Sequence, residues 1–119
     1  MDGFLDELNQ AWLNLDFGQG NADFLIDTGF AGTLIIGEEL FDASRAILSG
    51  FVDSTLAAGQ SFRYERFDLS LEWLRVSVRL FVLVGPGSEC LIGTELLSPH
   101  RLEIDYQLRL VQLHRSSDW

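Results

Sequence analysis

The stretch from Phe24 to Ile36 constrains the fold of this chain more than any other, because it indicates a buried strand, a sharp turn and a second buried strand. Three apolar residues lead to Asp27, and Gly29 lets the backbone turn sharply just after it. Gly32 keeps space open beside that turn. A carboxylate at the end of a buried strand is costly unless it is paired or used in chemistry. The pattern therefore marks Asp27 as a candidate functional residue.

The tripeptide Asp27-Thr28-Gly29 is weak evidence when it is taken alone. Asp and Gly are favoured turn residues, so ordinary turn chemistry is the alternative explanation. Such a tripeptide is expected by chance in roughly one of every few dozen chains of this length. The residues on either side of it must therefore decide between the two explanations.

The rest of the chain is predicted to consist mostly of strands. Period-two alternation and turn residues predict them at Gly3 to Leu5, Leu13 to Phe17, Ala22 to Ile26, Thr33 to Ile36, Phe51 to Leu56, Gln60 to Arg66, Val76 to Val84, Arg101 to Asp105 and Leu108 to Leu113. The residues Phe4, Leu5, Leu8 and Trp12 also fit a helical stripe, although we prefer the strand at Gly3 to Leu5.

Two helices and one irregularity are predicted between these strands. Apolar residues at helical spacing predict a helix from Glu38 to Leu48, ended by Gly50, and a short helix is predicted at Thr94 to Leu97. The apolar alternation changes phase near Glu65-Arg66, which predicts a bulge or a bend.

With its flanks, the stretch around Asp27 resembles the active-site loop of the retropepsin-like aspartic proteases. A second resemblance lies at Cys90 to Leu97, where two apolar residues and a glycine precede the predicted short helix, as they do behind the catalytic loop in that family. Between the two, Thr55 to Gln60 stands where the family has its flap. The match covers nearly the whole chain, and it is closest to the compact bacterial members, in which Phe, a small residue and Gly follow the tripeptide.

The resemblance implies an all-β fold, with residues 1–119 forming a single retropepsin-like closed β-barrel, the acid protease fold, with one or two short helices. A chain of 119 residues is long enough for one core but not for two lobes. The resemblance therefore also implies a homodimer in which each chain contributes one Asp27. One Asp27 would activate a water molecule while its partner protonates the substrate, without a covalent intermediate.

The resemblance implies roles for the residues that follow Asp27. Thr28 would hold the two loops at a fixed separation across the dimer interface, and Gly29 would let a peptide backbone approach the carboxylates. Phe30 and Ala31 would contact an extended peptide or protein substrate, which binds as an added strand.

The resemblance assigns two more segments to the site. The flap tip, formed by Ala57, Ala58 and Gly59, would close over the substrate and exclude water. Structural support for the catalytic loop would come from Leu91, Ile92 and Gly93. The dimer interface would combine the catalytic loop, the flap tips, the N-terminal strand and the C-terminal strand around Leu108 to Leu113.

Three residues depart from the family pattern. Phe30 is bulky where retroviral enzymes have a small residue, so it either narrows the pocket or fills the core. Thr94 stands where those enzymes often have Arg or Asn, and Ala58 replaces a polar residue at the flap tip. The alternative to a peptidase is a catalytically silent dimerisation or peptide-binding module with the same fold. The complete Asp27 tripeptide favours the enzyme.

Composition argues against several partners. The 8 basic residues, all arginines, and the 18 acidic residues give a net charge of −10, which disfavours nucleic acid. The longest apolar run, Leu80 to Val84, is too short to cross a bilayer, so we expect no membrane partner. His100 and His114 lack neighbouring ligand residues, and we expect no metal and no cofactor. The single Cys90 and the acidic start at Met1 to Gly3 predict a cytoplasmic location.

Overall fold

The fold is dominated by β-strands. A computed structural model describes residues 1–55 and 61–115, and it is 58% strand and 6% helix. The expected all-β architecture is confirmed. The predicted flap tip, Ala57, Ala58 and Gly59, lies outside the described residues.

The described ranges contain ten strands and two short helices. The strands are β1 (Gly3–Leu5), β2 (Ala11–Asp16), β3 (Asn21–Ile26), β4 (Leu34–Gly37), β5 (Ile47–Thr55), β6 (Ser61–Trp73), β7 (Val76–Gly85), β8 (Leu91–Ile92), β9 (Arg101–Asp105) and β10 (Leu110–His114). The α-helix α1 spans Thr94–Leu97, as predicted, and a 3-10 helix spans Ala43–Arg45. No helix in residues 1–55 and 61–115 has the length and apolar character needed to cross a membrane.

Eight strands form one sheet in the order β1-β2-β3-β8-β4-β7-β6-β5, and β9 pairs with β10 in a second, two-stranded sheet. β3 runs parallel to β8, and β4 runs parallel to β7, whereas the other neighbours are antiparallel. β8 has only two residues, yet it lies between β3 and β4. It therefore connects the two halves of the large sheet.

The expected closed barrel is not seen in the part of the chain that the structure describes. The large sheet ends at β1 on one side and at β5 on the other, and these two strands do not pair. Beyond β1, Asp2 forms a bridge with Gln112, and the Leu113 amide donates to the Met1 carbonyl oxygen at 2.8 Å. The terminal hairpin β9–β10 thus lies against the side of the sheet where β1 would have to meet β5.

One face of the large sheet and the inner face of the β9–β10 hairpin enclose the core. Its buried apolar residues are Leu5, Ala11, Leu13, Leu15, Phe17, Phe24, Leu34, Ile36, Phe67, Leu69, Leu71, Trp73, Val82, Val84, Cys90, Ile92, Leu96, Leu97, Val111 and Leu113. The alternation along β2 and the second half of β6 follows the two-residue period of a sheet with one buried face. Each large side chain in this set stabilises the fold by about 1.5–3 kcal/mol.

The predicted change of phase in β6 is confirmed, and an irregularity lies opposite it in the neighbouring strand. Up to Arg66 the half-buried residues occupy even positions, whereas from Phe67 the buried residues occupy odd positions. Opposite this point, the register of β5 shifts between Leu48 and Gly50. Gly50 has φ +139°, which non-glycine residues rarely adopt. A bulge in β5 therefore lies directly opposite the phase change in β6.

The predicted helix from Glu38 to Leu48 is wrong. Only Ala43–Arg45 is helical, and Ile47, which is 65% exposed, already belongs to β5. The Asp42 carboxylate accepts hydrogen bonds from the Ser44 amide at 3.0 Å and hydroxyl at 2.6 Å. These local bonds start a 3-10 turn instead of an α-helix, since no apolar stripe in this segment is buried to stabilise a longer helix.

Asp6 organises the turn between β1 and β2. Its Oδ1 accepts hydrogen bonds from the Leu8 and Gln10 amides, both at 2.9 Å, and its Oδ2 accepts one from the Trp12 indole N–H at 2.8 Å. The Trp12 hydrogen bond is the main cause that lowers the pKa of Asp6 below its ordinary value. The ionised carboxylate is thus the form that this turn stabilises.

Arg109 fastens the β9–β10 hairpin to the same turn. Its guanidinium donates to the carbonyl oxygens of Leu5 and Asp6 at 3.1 and 2.9 Å and to Asn9 Oδ1 at 3.0 Å. Both Asn9 and Arg109 have positive φ angles, 60° and 54°. The Arg109 hydrogen bonds therefore join the turn between β1 and β2 to the turn between β9 and β10.

We predict that Asp6→Ala lowers the midpoint of thermal unfolding at pH 7. The pKa of Asp6 is lower in the folded chain than in the unfolded chain, so its stabilising contribution is complete above the ordinary Asp value and is lost as pH falls through the folded value. The difference from wild type should therefore shrink between about pH 4 and pH 2. Calorimetry across this pH range measures the difference in unfolding midpoint between the variant and wild type. The matched control is Glu7→Ala in the same turn, and an equal pH dependence in both variants would contradict the prediction.

Candidate active site

Asp27 directly follows β3 and is held by the neighbouring strand β8. The Leu25 amide donates to the Cys90 carbonyl oxygen at 2.9 Å, and the Asp27 amide donates to the Ile92 carbonyl oxygen at 3.0 Å. The parallel ladder therefore continues one residue past the end of β3. It fixes the backbone of Asp27 while leaving the side chain half-buried at the sheet end.

The chain turns sharply after Asp27. Its Oδ1 accepts a hydrogen bond from the Gly29 amide at 2.9 Å, and its carbonyl oxygen accepts one from the Phe30 amide at 3.1 Å. Within residues 1–55 and 61–115, Oδ2 accepts no hydrogen bond and Asp27 forms no ion pair. One carboxylate oxygen is thus oriented by the loop, and the other is available to a water molecule or to another group.

The start of α1 donates three amides to the loop from behind. Gly93 donates to the Thr33 carbonyl oxygen at 2.8 Å, Thr94 to that of Phe30 at 2.9 Å, and Glu95 to that of Gly32 at 3.2 Å. The first amides of a helix have no partner inside the helix, and here the loop supplies their acceptors. The Thr94 hydroxyl adds a bond to the Phe30 carbonyl oxygen at 3.3 Å.

The Phe30 ring fills the space between two glycines. A Cβ atom added to Gly32 would lie 2.6 Å from Phe30 Cζ, and one added to Gly93 would lie 2.6 Å from Phe30 Cδ2 and would overlap the Gly32 carbonyl oxygen. Of the two roles considered for Phe30, this packing fits the filling of space. Both positions need glycine because of these close contacts. Backbone conformation is not the reason, because neither glycine has a positive φ angle.

Thr33 is a contributor to the loop that the sequence did not single out. It is the one buried polar residue in the described ranges, and its Oγ1 donates to the Phe81 carbonyl oxygen of β7 at 2.6 Å. Its hydroxyl thus ties the loop to β7, while its carbonyl oxygen accepts the Gly93 amide. The only signal in the sequence is a hydroxyl residue at the start of a buried strand.

The remaining sequence-predicted residues lie at different depths. Thr28, Gly29 and Ala31 are exposed at the tip of the loop, Leu91 is half-buried, and Ile92 and Gly93 are buried. The structure thus brings the loop, β8 and the start of α1 together.

Neither Cys90 nor His100 joins this site. Cys90 is buried, and burial raises the pKa of its thiol, so it is protonated at neutral pH. His100 accepts a hydrogen bond from the Trp73 indole at 3.3 Å, and burial lowers its pKa. No group of three metal-ligating side chains occurs in residues 1–55 and 61–115.

We predict that Gly93→Ala destabilises the fold by about 3 kcal/mol or more, because its Cβ would overlap backbone atoms of the loop. Gly29→Ala should cost about 1 kcal/mol or less, since the nearest atom to its Cβ would be Asp27 Oδ1 at 3.3 Å. Urea unfolding of both variants measures the difference. Equal losses would mean that the contact between α1 and the loop is not as tight as described.

Comparison with known proteins identifies the type of fold. No family model matches the chain, and no curated protein matches it in sequence. Its structure is similar to the crystal structure of a retropepsin-like aspartic protease from Rickettsia conorii, with a TM-score of 0.68 and 18% sequence identity over 97% of this chain and 89% of that one. At this identity the likeness concerns the fold alone. The chain therefore has the fold of a retropepsin-like aspartic protease.

Proposed function

We propose that this chain is an aspartic endopeptidase that hydrolyses peptide bonds as a homodimer. The observation that carries the proposal is the placement of Asp27, whose half-buried carboxylate follows a buried strand and has one oxygen oriented by the Gly29 amide. The shared fold with a retropepsin-like aspartic protease supports the reaction class. One such loop per chain makes half of a two-carboxylate site, and a second copy supplies the other half.

The chemistry follows from two Asp27 side chains that face each other. Two negative charges at contact distance disfavour each other, so the pair holds one proton. The ionised carboxylate takes a proton from water as the water oxygen bonds to the peptide carbonyl carbon, and the protonated carboxylate gives its proton to the carbonyl oxygen. When the C–N bond breaks, one carboxyl group gives its proton to the leaving nitrogen while the other carboxylate takes a proton from a hydroxyl of the tetrahedral diol, so the pair again holds one proton.

The other loop residues have positions that suit their proposed roles. Thr28 is exposed at the loop tip, where its hydroxyl would bond to the partner chain. Gly29 has no side chain to separate a peptide backbone from the carboxylates, and exposed Ala31 would contact that peptide beside half-buried Phe30. The role of Ala57, Ala58 and Gly59 as a flap remains a proposal about residues outside the described ranges.

Exposed apolar side chains support a dimer that uses the ends of the chain. In the β1–β2 segment, Phe4 and Leu8 are 41% and 79% exposed, and in the β9–β10 turn, Tyr106 and Leu108 are 59% and 69% exposed. The network around Arg109 brings these two segments together, and we propose that the four side chains form a single surface. A partner chain would cover it.

Two further parts of the proposal concern ancestry and location. The Phe-Ala-Gly sequence after the tripeptide supports a relationship to the compact bacterial members of the family. The free thiol of Cys90 suits a reducing compartment, and we propose the cytoplasm.

We predict that Asp27→Asn lowers peptide hydrolysis by roughly 10²–10⁴-fold, the usual contribution of a general acid or base, with little change in thermal stability. In equal mixtures of wild type and Asp27→Asn, random pairing leaves about one quarter of the dimers with two wild-type loops. Activity should therefore fall to about one quarter, whereas independent sites would retain about one half. Casein digestion after unfolding and refolding the mixture measures the fraction.

The control is Asp23→Asn, which makes the same chemical change on an exposed residue of β3. Its mixtures with wild type should retain full activity. No hydrolysis by wild-type protein would favour the silent dimerisation or peptide-binding module, and linear loss in the Asp27→Asn mixtures would contradict the shared pair.

We further predict that the protein has twice the 13.4 kDa mass of one chain in light scattering. Leu8→Asp together with Leu108→Asp should shift it towards the monomer, because two charges would enter an apolar surface in each chain. Val76→Asp, at an exposed position of β7, is the matched control. A wild-type monomer with peptidase activity would contradict the homodimer.

A further inference from the structure

The face of the large sheet that points away from the core carries a row of half-buried apolar side chains. Register pairs Leu25 with Leu91, Leu91 with Ile35, and Ile35 with Leu83, so these four residues lie on neighbouring strands on one face. Asp27 follows Leu25 by two residues and therefore points to the same face. The row begins next to the proposed catalytic carboxylate.

A small cavity opens part of the way along this row. It has a volume of about 140 Å³ and is lined by Ile35, Tyr64, Gly85, Pro86, Glu89 and Leu91. A cavity of about 150 Å³ holds a benzene-sized group, so this one has room for one large side chain. We call it the Glu89 pocket.

The walls of the Glu89 pocket are apolar and aromatic. A Cβ atom on Gly85 would lie 3.0 Å from Tyr64 Cε1 and 3.5 Å from Ile35 Cγ2, so the tyrosine ring lies against the backbone of Gly85. The Phe62 ring packs edge-on against the Tyr64 ring, with 4.8 Å between their centroids. This contact holds the Tyr64 ring in place at one wall of the pocket.

The charge in the pocket is negative. Glu89 is exposed, and in the described part of the chain it forms no ion pair. Arg66, on the same face of β6, is directed elsewhere, since it donates to the Ser49 carbonyl oxygen at 3.0 Å and its guanidinium lies 4.8 Å from the Phe81 ring centroid. Phe81 and Gly85 lie on opposite sides of Leu83 along β7, so Arg66 leans away from the pocket.

We propose that the Glu89 pocket binds the lysine or arginine side chain of a peptide substrate. The inference rests on the proposed peptidase function. The aliphatic part of such a side chain would pack on Ile35 and Leu91, and its cationic end would reach the Glu89 carboxylate and the face of Tyr64. An acidic side chain would meet the Glu89 charge and the net charge of −10 per chain.

The pocket is close enough to Asp27 to select the residue cleaved. Ile35 lies two strands, about 10 Å, from Leu25, and Asp27 lies two residues, about 7 Å, farther along the chain, so the Ile35 wall of the pocket is about 12 Å from Asp27. An extended peptide covers that distance in about three or four residues. The preferred basic residue should therefore stand about three or four residues from the hydrolysed bond, on either side of it, since each chain of the dimer contributes one pocket.

Peptide binding tests the proposal without relying on hydrolysis. A library of random decapeptides is passed over immobilised Asp27→Asn protein at 0.15 M salt, about physiological ionic strength, and the retained peptides are sequenced by mass spectrometry. We expect Lys and Arg to be enriched roughly two- to fivefold at the aligned positions, the range for a solvent-exposed ion pair. Adding Glu89→Gln should remove this enrichment, and adding Glu89→Lys should replace it with enrichment of Asp and Glu.

The matched control is Glu72→Gln, which removes one exposed carboxylate of β6 outside the pocket. It should leave the positional preference unchanged, whereas a loss equal to that of Glu89→Gln would attribute the preference to net charge and overturn the proposal. Retained peptides without a basic preference would also overturn it. Hydrolysis of the retained peptides by wild type is measured separately. Its absence, with the Glu89-dependent preference present, would reject the peptidase and leave a peptide-binding pocket.

Discussion

The site depends on the insertion of a two-residue strand between two longer ones. β8 forms a parallel ladder with β3 on one side and pairs antiparallel with β4 on the other. It ends at Ile92, whose carbonyl oxygen holds the Asp27 amide, and the three amides that follow bind the far side of the loop. The position of one carboxylate is therefore set from both sides by backbone hydrogen bonds, which do not depend on flexible side chains.

The side chains beside this framework are small where the backbones meet. Gly32 and Gly93 leave room for the Phe30 ring and for each other, so the loop and the start of α1 approach to contact distance. The same arrangement leaves the opposite face of the sheet open next to Asp27, with apolar walls and the Glu89 charge. The same strand pairing thus fixes the loop on the side of α1 and leaves it accessible on the opposite side.

The local features of this region could be predicted from the sequence. Asp27 after an apolar run, Gly29 in the turn, and Leu91-Ile92-Gly93 before α1 are each defined by neighbouring residues. The phase change in β6 was predictable for the same reason. The position of the bulge in β5 was not, because a bulge is a property of a strand pair.

Features that depend on distant partners could not be predicted. The segment before β5 has helical spacing, but only Phe41 and Ala46 in it pack against the core, and Asp42 competes for its backbone. The bond from Thr33 to Phe81 and the network around Arg109 join residues that are far apart in the chain. The open sheet could not be predicted for the same reason, because tertiary contacts decide the position of the β9–β10 hairpin beside β1.

The pairing of β3 with β8 also has a consequence for the order of folding. β6 and β7 are joined by the two-residue turn Leu74-Arg75, so their contacts close a short loop, whereas the pair Leu25 and Leu91 is separated by 91 − 25 = 66 positions. Closure of the longer loop costs more entropy, and we expect it to follow the formation of the local hairpins. During synthesis, Asp27 leaves the ribosome long before the strand that positions it. A nascent chain would therefore carry the proposed catalytic residue without the geometry to use it until β8 has been made.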